Sequence, residues 1–265
     1  MNGNSTMHKQ IHTALLEIEK AHNCRVLFAC ESGSRAWGFP SPDSDYDIRF
    51  IYTHGVDWHL RINKQSDTLN KMLPGDLDLG GWELGKTLKL FSSGNVALYE
   101  WLHSPIVYHE PETLSTQLRH QIPAFFNVPK AFHHYLSLAT KSADSHLEGN
   151  TIGIKKCSYI VRAIYASYWI LECKNMPPTF FPDMLGRGLC DSELDVWIQE
   201  MIDRKRSEEE RFEILLPEHV LKWIQSSLAS LPSRGAELGP PRDRKALDDL
   251  NNLFKSTVLR NSEFG

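Results

Sequence analysis

Apolar residues return at helical spacing at Ile11, Leu15, Leu16 and Ile18, which predicts a helix over 8–23, and the run Arg25-Val-Leu-Phe-Ala-Cys30 that follows has strand length. Residues 31–44 are dense in Gly, Ser, Pro and Asp, a turn composition, and 45–52 then read as a second strand. Residues 56–62 and 76–79 are further strand candidates. From about Trp82 the period becomes helical, with Leu84, Leu88 and Phe91 on one stripe, and 96–102 continue it after the Ser92-Ser-Gly-Asn95 break. Beyond Pro111 the chain carries almost no strand signal and has helical periodicity at 130–147, 154–173, 192–205, 217–231 and 243–259. Stretches 176–178 and 235–242 read as loops by composition. The pattern predicts an α+β architecture, with an α+β domain over 1–115 and an all-helical domain over 116–265.

Composition narrows the class. The 265 residues, 41% hydrophobic and 23% charged, exclude disordered and low-complexity chains. A formal net charge of -4 excludes the global basic field that holds proteins on nucleic acid without specificity. Five cysteines with no CxxC pair suggest neither a disulfide framework nor a thiolate zinc site, which fits a reducing cytoplasm. Residues 1–10 are polar and lack the apolar core of a secretory signal. The longest apolar stretch, 159–171, carries Arg162 and is shorter than the ~20 residues that span a bilayer, so no membrane is expected.

The segment richest in chemistry is Ser32-Gly-Ser-Arg-Ala-Trp-Gly38 followed by Ser44-Asp-Tyr-Asp-Ile48. On a strand, Asp45 and Asp47 share one side by the period of two, where they can share a hard divalent cation. The small Gly33-Ser34 turn ahead of them lets backbone N–H groups approach phosphate oxygens. Asp43, Asp45 and Asp47 also imitate the start of a calcium loop. That loop needs Gly at its sixth position and Glu at its twelfth, where this chain has Ile48 and His54. A turn that merely caps a strand is the plainer reading of a lone DxD, and the Gly-Ser element argues against it. Residues 80–87 match the P-loop pattern GxxxxGK[ST] literally, but Glu83 would put a negative charge where a phosphate must sit, and no apolar strand ending in Asp follows. The pairs His133-His134 and His54 with His59 lack metal-ligand spacing. Tyr159, Tyr165, Tyr168 and Trp169 read as core, and Lys205-Arg206 with the following Glu208-Glu-Glu210 as a solvated charge run.

Gly33-Ser34, ten intervening residues, then Asp45-Tyr-Asp-Ile48 resembles the hG[GS]…Dh[DE]h signature of the DNA polymerase β-like nucleotidyltransferase superfamily. The longer run 31–52, with Gly81-Trp82, Lys86, Glu100-Trp-Leu102, Ser104-Pro105, Lys155-Lys156, Tyr159 and Arg162, is similar to its RNA-ligase-associated branch, RlaP. The resemblance covers about residues 27–173. It implies a nucleotidyltransferase-like sheet core and a magnesium (or manganese) site in which Asp45 and Asp47 are joined by a third carboxylate. That third carboxylate falls on Asp78, with Asp76 its rival on the same strand face. The resemblance further implies an NTP substrate, with Gly33, Ser34 and Arg35 at its phosphates and Lys86, Lys155 and Lys156 as further phosphate or acceptor contacts. An RNA end is the acceptor the family suggests. A protein or small-molecule hydroxyl, or a nucleotide-binding regulatory module without turnover, are the alternatives.

Overall fold

The structure is a computed structural model that describes residues 2–63, 65–111, 113–208, 212–239 and 247–262. In chain order it begins with α1 (Asn2–His22), β1 (Arg25–Glu31), α2 (Gly33–Ala36), β2 (Tyr46–Thr53), α3 (Val56–His59), β3 (Thr68–Leu73) and β4 (Leu77–Glu83). It continues through α4 (Leu84–Ser92), α5 (Val96–Leu102), β5 (Val107–His109), α6 (Leu114–Phe125) and α7 (Val128–His146). The remainder is β6 (Thr151–Gly153), α8 (Ile154–Cys173), a single 3-10 turn at Phe181–Met184, α9 (Ser192–Ser207), β7 (Glu213–Leu215), α10 (Glu218–Ala236) and α11 (Asp248–Arg260). None of the described helices is long and apolar enough to cross a membrane.

The chain packs as two units. The first comprises Met1–Gly33, Asp45–Phe125 and Arg244–Gly265, and the second Ser34–Ser44 and Phe126–Asp243. Sequence pattern set one boundary near residue 115, whereas packing assigns segments from both ends of the chain to the first unit and the 34–44 excursion to the second.

The first unit is a mixed five-stranded sheet of order β3-β4-β2-β1-β5, in which β2 and β4 are parallel and every other pair antiparallel. Ile11, Ala14, Leu15 and Ile18 of α1 meet Val26, Ala29, Ile48, Phe50, Tyr52 and Leu79 in one core. Gly81 lies against Phe50 so closely that a Cβ there would stand 2.2 Å from the ring, which is why this strand position tolerates no side chain. Asn95 caps α5 by accepting from the Leu98 N–H at 2.9 Å, which explains the helix restart after the Gly94 turn. In the second unit α7 packs along α8, and α10 joins both, with Gly235 seated on the Phe132 ring.

Several elements depart from the pattern. Residues 56–62 form no strand but the single turn α3 followed by irregular chain: Gly55 at the N-cap and the polar Asp57 and His59 favour a local turn over a ladder. The edge strand β3 and the three-residue β5 carry no periodicity of their own, and α6, with Leu114, Leu118, Ile122 and Phe125 at helical spacing, lies outside the helices expected above. Nor is the back half wholly helical, because β6 and β7 pair through Ile152 and Ile214. Residues 240–242 of the expected loop and 243–246 of the expected last helix lie outside the described residues.

Candidate functional site

The first unit assembles its acidic pair through strand register. Parallel pairing sets Asp47 directly beside Asp78, and the period of two puts both on the same sheet face as Arg49. Arg49 Nη2 lies 2.9 Å from Asp47 Oδ1 and 2.8 Å from Asp78 Oδ2, so one cationic nitrogen bridges the two carboxylates. Its Nη1 donates to the Ile48 and Asp78 carbonyls at 3.1 and 3.0 Å. Behind the pair, the fully buried Glu31 accepts from the Asp47 N–H at 2.7 Å through Oε1 and from the Tyr108 hydroxyl through Oε2. The Ser32 N–H donates to the Asp47 carbonyl at 2.8 Å. These contacts fix the backbone on both sides of Asp47.

Gly33 completes this half. It has φ +61°, and a Cβ there would stand 2.3 Å from Asp47 Oδ2. Both the left-handed conformation and the approach of the carboxylate therefore require glycine. Asp45 precedes β2 and is exposed. Asp76 sits in the turn before β4 with φ +56° and offers its carbonyl to the Tyr46 N–H at 2.8 Å. The residue brought beside Asp47 is thus Asp78, while Asp76 contributes backbone. Among the described residues no three His, Cys, Asp or Glu side chains are grouped to hold a metal ion.

The second unit holds a chain of buried hydroxyls. Ser34 Oγ donates to Ser44 Oγ at 3.2 Å, and Ser44 Oγ lies 2.8 Å from Ser41 Oγ and accepts from the Ser41 N–H at 3.0 Å. Lys205 Nζ donates to Ser41 Oγ at 3.3 Å, and Arg35 Nη2 to the Ser44 carbonyl at 2.7 Å. Lys205 is fully buried, which corrects its reading as part of a solvated run; Glu209 and Glu210 of that run lie outside the described residues. Arg206 donates to the Gly38 carbonyl at 2.7 Å, and Arg162 lies over the Trp37 ring at 4.2 Å. Lys155 and Lys156 occupy the first turn of α8, one turn before Tyr159, whose ring meets Trp37 edge-on at 5.2 Å.

Lys86 is elsewhere. Its Nζ contacts Asp67 Oδ1 at 3.0 Å and Thr68 Oγ1 at 2.6 Å, beyond the opposite end of β4 from Asp78. Five residue steps along the strand separate Asp78 from Glu83, about 17 Å of rise. The P-loop match dissolves here as well, because Gly80 and Gly81 are strand residues and Gly85 lies in the first turn of α4. Burial pushes the Glu83 carboxyl up to about 7, partly offset by the N–H groups of Gly85, Lys86 and Leu84. The residues that pattern did not single out are Glu31, Arg49 and Lys205. A lone charge at the end of an apolar strand was the available signal for Glu31; Arg49 lies within β2.

The chain has relatives. The family model described as RNA repair pathway DNA polymerase beta family, RlaP, matches residues 7–256. The uncharacterized protein YcgL of Bacillus subtilis (strain 168) is 34% identical over 252 residues, covering 95% of this chain and 96% of that protein. Among solved structures, a nucleotidyltransferase-like protein from Exiguobacterium sibiricum 255-15 aligns over 97% of this chain and 78% of its own at 12% identity, with a TM-score of 0.32.

Proposed function

The chain belongs to the RNA repair pathway DNA polymerase beta family and is a nucleotidyltransferase by that membership; from this premise we propose that it moves a nucleoside monophosphate from an NTP to an acceptor hydroxyl, releasing pyrophosphate. The observation that carries the reading is the register of β2 on β4, which sets Asp47 beside Asp78 with the Gly33 turn closed against Asp47. The donor set supports a divalent ion: the oxygens are hard carboxylates, and Arg49 Nη2 lies 2.9 and 2.8 Å from one oxygen of each. Asp47 and Asp78, with Asp45 from the preceding loop, would hold magnesium or manganese. When bound, the ion supplies charge stabilisation at the pyrophosphate and acidifies the acceptor hydroxyl.

The protein's own groups position the substrate. The donors proposed for the terminal phosphates are the backbone N–H groups of the Gly33-Ser34 turn, the Ser34 hydroxyl and the Arg35 fork. Lys155 and Lys156, on the first turn of α8, supply further positive charge where the helix dipole already favours anions. The family description, RNA repair, supports an RNA end as the acceptor.

The test is transfer from each α-labelled NTP, with magnesium or manganese, onto RNA 3′ ends, bulk protein and small-molecule pools, beside the Asp45→Ala/Asp47→Ala variant. Label in the RNA pool that vanishes with the variant is the expected result. Label confined to another pool reassigns the acceptor, and label in none despite metal-dependent nucleotide binding makes the chain a regulatory module.

A further inference from the structure

Arg49 occupies the centre of the acidic pair. Nη2 bridges Asp47 and Asp78 at 2.9 and 2.8 Å, and Nη1 is held by the Ile48 and Asp78 carbonyls, so the guanidinium has four acceptors arranged around it. The sequence clears its path. Gly80, its partner across the parallel ladder, would carry a Cβ only 3.3 Å from Nη1 and 3.4 Å from Cδ, so a side chain there would press on the arginine as it crosses β4. Arg49 is also mostly shielded, at 21% side-chain exposure. A guanidinium does not lose its proton in this setting, so its charge is permanent.

Two carboxylates facing one another need a compensating charge, and here the chain supplies it from within. Asp47 and Asp78, whose Oδ1 and Oδ2 bind Arg49, are also the residues that would hold a divalent ion. A divalent ion and a guanidinium drawn to one carboxylate pair repel each other, so each weakens the other's hold. We infer that Arg49 is the resident cation of this site and competes with the divalent ion, so that metal loads only as the arginine swings out. Once displaced, its fork is available to phosphate oxygens, the other planar anion it matches. The inference rests on the carboxylate reading given under the proposed function.

The experiment is a titration of the full chain with manganese alone, followed by the electron paramagnetic resonance of the unbound ion, with no nucleotide present. Arg49→Gln keeps the shape and removes the charge; it is expected to bind manganese at least tenfold more tightly than wild type. Arg49→Lys keeps the charge but cannot bridge four acceptors, and is expected to bind at least threefold more tightly, which carries the test should the Gln variant not fold. Affinity equal to or below wild type in a folded variant overturns the role of Arg49 while leaving the carboxylate site standing. A different result sinks the site itself: wild type and Arg49→Gln both failing to bind manganese at millimolar concentration, or Asp47→Ala/Asp78→Ala binding it as wild type does.

Discussion

Gly33 is the residue on which the acidic half of the site depends most directly. Its φ of +61° disfavours any side chain by about 1–2 kcal/mol, and the Asp47 carboxylate fills the space a Cβ would need. Gly33→Ala is therefore expected to lower stability by about 2 kcal/mol in urea denaturation and to cost transfer activity far more, because Asp47 must move. A folded Gly33→Ala enzyme with wild-type turnover would contradict this placement. Ser44 plays the matching part in the hydroxyl chain, since its buried Oγ meets Ser34, Ser41 and the Ser41 N–H. Ser44→Ala leaves that N–H without its acceptor, so a loss of about 1–3 kcal/mol is expected, with a rise in KM for the nucleotide as Ser34 loses its anchor. An unchanged KM in a destabilised variant would reduce Ser44 to a structural role. Of these groups Gly33, Ser34, Asp45, Asp47 and Asp78 are legible in the sequence, because small turn residues and paired acids break an apolar pattern. Arg49 and Lys205 are not: an arginine in a strand and a lysine before a glutamate run both look solvated until the fold encloses them.

At the scale of elements, the junction of β4 with α4 links strand register to pH. Glu83 ends β4 and caps α4, accepting from the Gly85 N–H at 2.6 Å, with His59 Nε2 3.7 Å from its other oxygen and Tyr52 beside it in the ladder. Burial raises this carboxyl from 4.5 to about 7, so the folded chain holds a proton that the unfolded chain releases. Its contribution is complete below about pH 4.5 and is lost as pH rises through about 7, a change of about 3 kcal/mol. His59, pushed down by burial, acts in the opposite sense, withdrawing stability as pH falls below its ordinary value of 6.5. Comparing melting temperatures of wild type and Glu83→Gln from pH 5 to 8 isolates the carboxyl: wild type is expected to lose ground steadily to the variant as pH rises. Parallel curves would mean that Glu83 stays ionised throughout. The same junction shows why pattern reading found α4 but placed its start near Trp82. Gly80 and Gly81 carry no period, so only the Glu83 cap marks the end of the strand. Edge strand β3 was invisible for a related reason, as three of its six residues are exposed and its polar positions leave no alternation to read. The long helices α7 to α9, each with an apolar stripe, were read to within two residues of their ends, whereas α10 runs five residues past its expected end into 235–236, read as loop from Gly235.

At the scale of the whole molecule, chain order and packing order differ, and α11 is where the difference has a measurable consequence. Although it follows the helical unit in sequence, it belongs to the sheet-bearing one and lies against α4. Leu250, Leu253, Thr257 and Val258 are buried there, and Phe254 meets the His59 ring at 5.3 Å. Burying each large aliphatic side chain is worth about 1.5–3 kcal/mol, so α11 contributes on the order of 5 kcal/mol to the first unit. That is a large share of the 5–15 kcal/mol typical of a domain. A chain shortened after Gly239 should therefore not behave as one that has lost a tail. Its sheet-bearing unit is expected to melt at least 10 °C below that of the full chain, since about 1 kcal/mol corresponds to 2–4 °C at this size. Calorimetry resolves the point, because the second unit keeps all its described residues and its transition should stay in place while the first moves. If both transitions hold, the α11 face contributes nothing to the sheet that carries Asp47 and Asp78. If the first transition drops and manganese binding weakens with it, then the segment latest in sequence is part of what keeps the carboxylate pair assembled.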